Sequence, residues 1–189
     1  SFPIGIATAK RAGGKLDRAI TVFNQVCMSI PPVFVGILLC FVFGITLRVF
    51  VPGRFVTFGE DPGGFLLYML FPALAVALSR IAMTVKMLRS SILDEMEKDY
   101  IRTAFSRGWT RVDALKKHAL RNAIIPVIAF LGVTAAELVA GSIVVEQVFA
   151  VPGLGQLLLS SIGSRDFPVA QAVVILLATW VVVVNFIAD

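Results

Sequence analysis

The chain has 189 residues, of which 58% are apolar and 15% charged, with a net charge of +5. A soluble domain carries about a quarter charged residues, and here the apolar residues come in blocks rather than in stripes of period 2 or 3.6, which argues against an ordinary soluble core. The positive charge does not mark a nucleic-acid binder, because no soluble basic face with base-reading elements is visible.

A helix needs roughly 20 apolar residues to cross a bilayer, since lipid offers backbone amides no partner. Ser1 to Ala9 is apolar but covers only about 14 Å at 1.5 Å per residue. It has no initiator Met, basic n-region or cleavage site, so it is a poor signal peptide. We read 1–9 as the last turns of a partial span. Lys10, Arg11, Lys15 and Arg18 form a basic turn after it. Ala19 to Leu47 carries no charge, which predicts a span at 20–47 with a kink at Pro31-Pro32. Arg48 to Phe65 contains Pro52-Gly53, Gly59 and Asp61-Pro62-Gly63-Gly64, the signals of a loop. A second full span is predicted at 66–87, broken only by Arg80 and Lys86, with Pro72 near its start.

The segment 89–123 is a basic insert. Ser91 to Ala104 is expected to be helical, with Ile92, Met96, Tyr100 and Ala104 on an i, i+4 ladder. Gly108 breaks that helix at a natural left-handed position. Thr110 to Asp113 has the pattern of a capping box opening a second helix. That helix presents Val112, Leu115 and Ala119 and runs into the next span at Pro126. Helix, glycine turn, helix makes a compact protrusion suited to docking a protein.

The next span is predicted at 124–147 and contains Glu137, with Glu146 near its end. Pro152, Gly153 and Gly155 are expected to stop it. A short apolar-faced helix carrying Leu157, Leu158, Leu159 and Ile162 follows, closed by Gly163 and too short to cross. A charge-free block at 168–188 supplies the last span.

Lys and Arg concentrate in the first turn and in 89–123, whereas the alternate loops hold only Arg48 and Arg54, then Arg165. The positive-inside bias makes the basic segments cytoplasmic. Cys27 and Cys40 would lie about 20 Å apart on a continuous helix, too far for a disulfide. His118 has no companion for a metal site. No nucleophile constellation is present, and the PGLG segment lacks the Gly-Lys-Ser/Thr end of a phosphate loop. The expected fold is an all-α polytopic membrane bundle, a single domain over 1–189 truncated at both ends.

The basic insert resembles the cytoplasmic EAA loop of ABC-importer permeases. The EAA triplet is here Arg102-Thr103-Ala104, and the loop glycine is Gly108. The longer interval to Pro126, with GKLDR (14–18), SIPPVF (29–34), VVEQVFAVPGLGQLL (144–158) and RDFPVAQ (165–171), is similar to the dipeptide/oligopeptide/nickel branch, and to the first of its two paired permeases. The resemblance covers essentially the whole chain. It implies the ABC type-1 transmembrane fold and a permease subunit importing peptides, or alternatively nickel or another small solute. It also implies a second homologous permease subunit, ATPase subunits that bind the ATP and magnesium, an extracytoplasmic binding protein and a bacterial or archaeal cytoplasmic membrane. No cofactor is expected on this chain. Arg102 departs from the acidic residue of the general motif, so a role resting on that carboxylate does not carry over.

In this frame Tyr100, Thr103, Ala104 and Gly108 are expected docking residues, although the first three would equally suit packing against the chain's own helices. Arg102 and Arg107 are either docking contacts or plain positive-inside charges. Arg80, Glu137 and Glu146 are the intramembrane polar candidates, with Arg80 and Glu137 expected to pair and Glu146 expected to brace the external helix. Pro152, Gly153, Gly155, Arg165 and Asp166 are assigned to the outer mouth. A secondary transporter would need internal repeats or mid-bilayer ion sites, and a membrane enzyme would need paired catalytic groups; neither is legible.

Overall fold

The computed structural model describes residues 1–188 and, at Ala140, the backbone alone. Its helices are α1 (Phe2–Lys10), α2 (Lys15–Ser29), α3 (Pro32–Leu39), α4 (Pro62–Met96), α5 (Asp99–Ser106), α6 (Arg111–Ala114), α7 (Leu120–Phe149), α8 (Leu154–Gly163) and α9 (Phe167–Ala188). Two stretches are π-helical, Cys40–Thr46 after α3 and Leu115–Ala119 between α6 and α7. Among the described residues three helical stretches are long and apolar enough to cross a membrane, Pro62–Met96, Arg111–Val139 and Phe167–Ala188, and two sharply bent pairs, Lys15–Ser29 with Pro32–Thr46 and Gly141–Phe149 with Leu154–Gly163, reach that length and apolarity only when each pair is taken together.

The block 20–47 is not one helix. α2 ends at Ser29, and Pro32 opens α3, its missing N–H being harmless in a first turn. α7, by contrast, carries Pro126 inside its length, where sequence placed the junction between loop and span. The helix runs through because proline removes one ladder bond without forbidding the backbone angle.

Two compact units divide the chain. The first combines Ser1–Ser29 with Arg80–Gly132. Its core is Ala9, Leu88, Ile92, Leu115, Ala123 and Val127, with Ile6 and Met96 packed around it. Gly5 lets α1 lie directly on α4: a Cβ there would stand 2.9 Å from the Leu88 Cδ2. Asp17, in the first turn of α2, is almost fully buried and takes Arg89 as a fork, Nε to Oδ1 at 2.6 Å and a second guanidinium nitrogen to Oδ2 at 2.8 Å. The Gly13 amide also donates to Asp17, at 2.9 Å.

The second unit combines Ile30–Ser79 with Val133–Ile187. Phe50, Tyr68, Phe71, Ala75, Val145 and Phe149 form its core. The rings interlock, with Phe50 stacked on Phe71 at 4.5 Å between centroids and edge-on to Tyr68 at 5.4 Å. The Tyr68 hydroxyl donates to the Phe149 carbonyl and accepts from the Gly53 amide. One buried phenol thereby ties the 48–61 loop to the end of α7. α9 leaves Phe186, Ile187 and Val182 widely exposed, as a helix facing lipid or a partner does.

Candidate functional site

The basic insert is built from two helix ends. α4 continues to Met96 and the chain breaks at Glu97-Lys98, so the expected helix 91–104 is two helices meeting at a corner. Ile92 and Ala104 of the predicted ladder are buried, but Tyr100 is 38% exposed, because the break swings α5 off the axis of α4. α5 closes in a full Schellman turn. The Trp109 amide donates to the Ala104 carbonyl at 3.2 Å, and the Gly108 amide to the Phe105 carbonyl at 2.9 Å. Gly108 has φ +84°, with nothing within 4 Å of where a Cβ would stand. Its requirement is therefore conformational and not steric. Thr110 caps α6, its hydroxyl accepting the Asp113 amide at 3.2 Å and donating to the Asp113 carboxylate at 2.6 Å. A small buried core of Ile101, Ala114 and Ala119 holds the two helices together.

The polar groups on this element are organised. Tyr100 donates to Glu95 at 2.6 Å and accepts from Asn122 at 3.2 Å, and Lys98 pairs with the same Glu95. Partial burial, then the bond to Glu95, raises the Tyr100 pKa, so the phenol remains a donor through the neutral range. Arg102 reaches Asp99 at 3.4 Å and is largely exposed. The Thr103 hydroxyl is turned back to the Asp99 carbonyl. Tyr100, Thr103, Ala104, Arg107, Trp109 and His118 line a pocket of about 260 Å³. His118 stands edge-on to Trp109 at 5.1 Å, and Lys117 Nζ lies 4.6 Å from the centre of the Trp109 ring. Of the expected docking residues, Tyr100, Thr103 and Ala104 thus share one concave surface, Gly108 fixes the turn beside it, and Arg102 faces solvent.

The second candidate cluster surrounds Glu146, near the end of α7. That helix is stopped by Ala150 in the left-handed region, φ 50°, with the Val151 amide bonded to the Glu146 carbonyl at 2.9 Å. Contrary to the sequence reading, Gly153 and Gly155 do not stop it: Gly153 is the N-cap of α8 and Gly155 lies within α8. The Glu146 carboxylate accepts the Gly155 and Gln156 amides at 2.9 and 3.1 Å and the Ser142 hydroxyl at 3.0 Å. It thereby satisfies free donors at the positive end of α8. The glycines are dictated by this closeness. A Cβ on Gly153 would fall 2.3 Å from Glu146 Oε2, and one on Gly155 would fall 2.7 Å from the Ile143 Cα. The end of α7 and the start of α8 are bent by 83°. Glu146 and Ser142 are the polar members of an otherwise apolar pocket of about 400 Å³ that reaches Pro72 and Val76.

α8 ends at Gly163, as expected, but the left-handed residue of the turn that follows is Arg165 and not the glycine. Arg165 has φ 59°, and the Asp166 amide reaches the Ser161 carbonyl at 2.8 Å, a Schellman turn with arginine at the position glycine prefers. Asp166 then caps α9, accepting the Val169 amide at 3.3 Å, with Pro168 in the first turn. RDFPVAQ is therefore a helix stop followed by a helix start.

Both clusters fall inside one family description, the binding-protein-dependent transport system inner membrane component, which matches residues 1–189. The chain belongs to this family. It is 38% identical over its full length to the oligopeptide transport system permease protein AppB of Bacillus subtilis, covering 60% of that relative. It is 32% identical over 98% of its length to the dipeptide transport system permease protein DppB of the same organism, covering 58% of it. Against DppB of Escherichia coli it is 42% identical over 69% of its length. The chain thus spans about three fifths of the length of the first two relatives.

Arg80 lies half-buried on α4 and Glu137 is exposed on α7; neither side chain is without a partner. Among the described residues no three His, Cys, Asp or Glu side chains gather as a metal site would need. Sequence reading missed Asp17 and Arg89 as a pair, because 72 residues separate them and each looked like a boundary charge. It missed Tyr68 for the same reason. Trp109 was legible in principle: the residue after a left-handed glycine commonly packs back on the helix it leaves.

Proposed function

We propose that this chain is part of a permease subunit of an ATP-driven importer, forming with a second homologous permease the pathway for di- and oligopeptides across the bacterial cytoplasmic membrane. An extracytoplasmic binding protein delivers the peptide, and separate ATPase subunits bind ATP with magnesium. The segment 97–119 is cytoplasmic and docks on an ATPase, and the 150–166 turns lie at the outer mouth. Relatives named as oligopeptide and dipeptide permeases support the cargo class.

The observation that carries the reading is the pair of back-to-back caps around Gly108. A loop that only joined two spans would need no rigid corner. Here a Schellman turn, a threonine cap and a private core hold a short exposed helix at a fixed angle. Closure of an ATPase dimer displaces such a helix as a rigid lever and biases a two-state pathway. Arg107 and His118, in the lining beside Gly108, give the docked face its basic character. The test is reconstitution of the full-length permease pair, ATPases and binding protein in proteoliposomes. ATP-dependent accumulation of a labelled di- or tripeptide is expected. A complete assembly that hydrolyses ATP yet accumulates neither would contradict the peptide assignment.

A further inference from the structure

We propose that the pocket beside Gly108 is a socket for one carboxylate side chain, an Asp or Glu of the partner ATPase. This rests on the docking role assigned to the 97–119 segment. The volume, about 260 Å³, falls below the roughly 300–1,000 Å³ of sites that enclose a small molecule or cofactor. A nucleotide does not fit; a side chain does. Ala104 and the Trp109 ring give it apolar surface for methylenes. Its hydroxyls are spent as donors inside the chain, Thr103 on the Asp99 carbonyl and Tyr100 on Glu95. The donor capacity left on the wall belongs to Arg107, Trp109 and His118. Arg and Trp side chains only donate, so the complementary guest is an acceptor, and a carboxylate takes a guanidinium in a two-pronged bond.

Charge points the same way. Among the described residues the Arg107 guanidinium has no hydrogen bond or ion pair, and Lys117 offers its ammonium only to the Trp109 ring. Of the nearby acids, Glu95 is held by Lys98 and Tyr100 and Asp113 by Thr110, while Asp99 is solvent-exposed beside Arg102 and outside the pocket lining. Asp94 and Glu97 lie exposed at the end of α4 and the corner after it, outside the pocket lining. The socket is therefore a cationic concavity whose own acids cannot fill it.

The test uses the full-length permease assembled with its ATPase. Arg107→Glu should weaken ATPase binding at least tenfold, while Arg111→Glu, the same reversal outside the lining, should stay within twofold. Arg107→Gln, which removes charge with little change in shape, should show a smaller loss and substitutes if the reversal does not insert. In the Arg107→Glu background, single Asp→Lys and Glu→Lys changes across the ATPase docking face should include one that restores binding. If Arg107→Glu binds like wild type while Gly108→Val does not, the socket is wrong and the docking element stands. If both bind like wild type, both fail. If Arg107→Glu weakens binding and no reversal restores it, the guest is not a carboxylate.

Discussion

Non-glycine residues in the left-handed region show where this chain stores strain. Arg165, in the turn after α8, has φ 59°, a position that costs roughly 1–2 kcal/mol for a residue bearing a Cβ. Arg165→Gly should relieve that cost and raise the stability of the detergent-purified protein, read from its thermal transition. If transport falls while stability rises, the guanidinium has a role at the outer mouth; if stability also falls, the turn is not the source of strain. Asp17 and Arg89 make the opposite case, a satisfied pair whose halves depend on each other. Arg89→Ala leaves a buried carboxylate unpaired, a change that typically costs about 3–5 kcal/mol. Asp17→Asn/Arg89→Ala should recover much of the loss, and a double variant no more stable than the single would show that the charge is not what matters.

At the scale of elements, a recurring device is a helix end held by a specific group. Glu146 holds α8 to α7, Asp166 opens α9, Thr110 opens α6, and Gly108 closes α5. Glu146→Ala should remove two amide partners and the charge at the start of α8, at a cost of about 2 kcal/mol. Glu146→Gln should lose only about half of that. Exchange of the Gly155 and Gln156 amides, followed by mass spectrometry, would report it, and unchanged protection in Glu146→Ala would refute the cap. Local chemistry made some of these ends legible in sequence. The Thr110-x-x-Asp113 box and Gly108 are short-range patterns with one physical solution. Arg165 and Ala150 were not legible, because nothing in a residue's identity marks it for a conformation that glycine favours. The corner at Glu97-Lys98 was likewise hidden, since helical spacing of Ile92, Met96 and Tyr100 continues across it.

For the whole molecule, composition alone fixed the helical membrane class, because long charge-free blocks have few other solutions. The internal ties Asp17–Arg89 and Tyr68–Phe149 were illegible, since nothing local links residues so far apart in sequence. Orientation is the next property to test. Single cysteines replacing Lys15 and Lys116 should be protected from an impermeant thiol reagent in intact cells, and those replacing Gly59 and Ser164 should react. External labelling at Lys116→Cys would invert the proposed topology.

The central claim is that the capped corner at Gly108 transmits force from the ATPase. The most direct measurement is ATPase retained per permease after purification of Gly108→Val. With φ +84° and open space around the Cβ, the substitution strains the backbone without a clash, so the spans should insert normally. The account predicts wild-type amounts in the membrane, at least a tenfold loss of bound ATPase and no transport, with Gly108→Ala intermediate. Full ATPase retention with normal peptide uptake in Gly108→Val would contradict it.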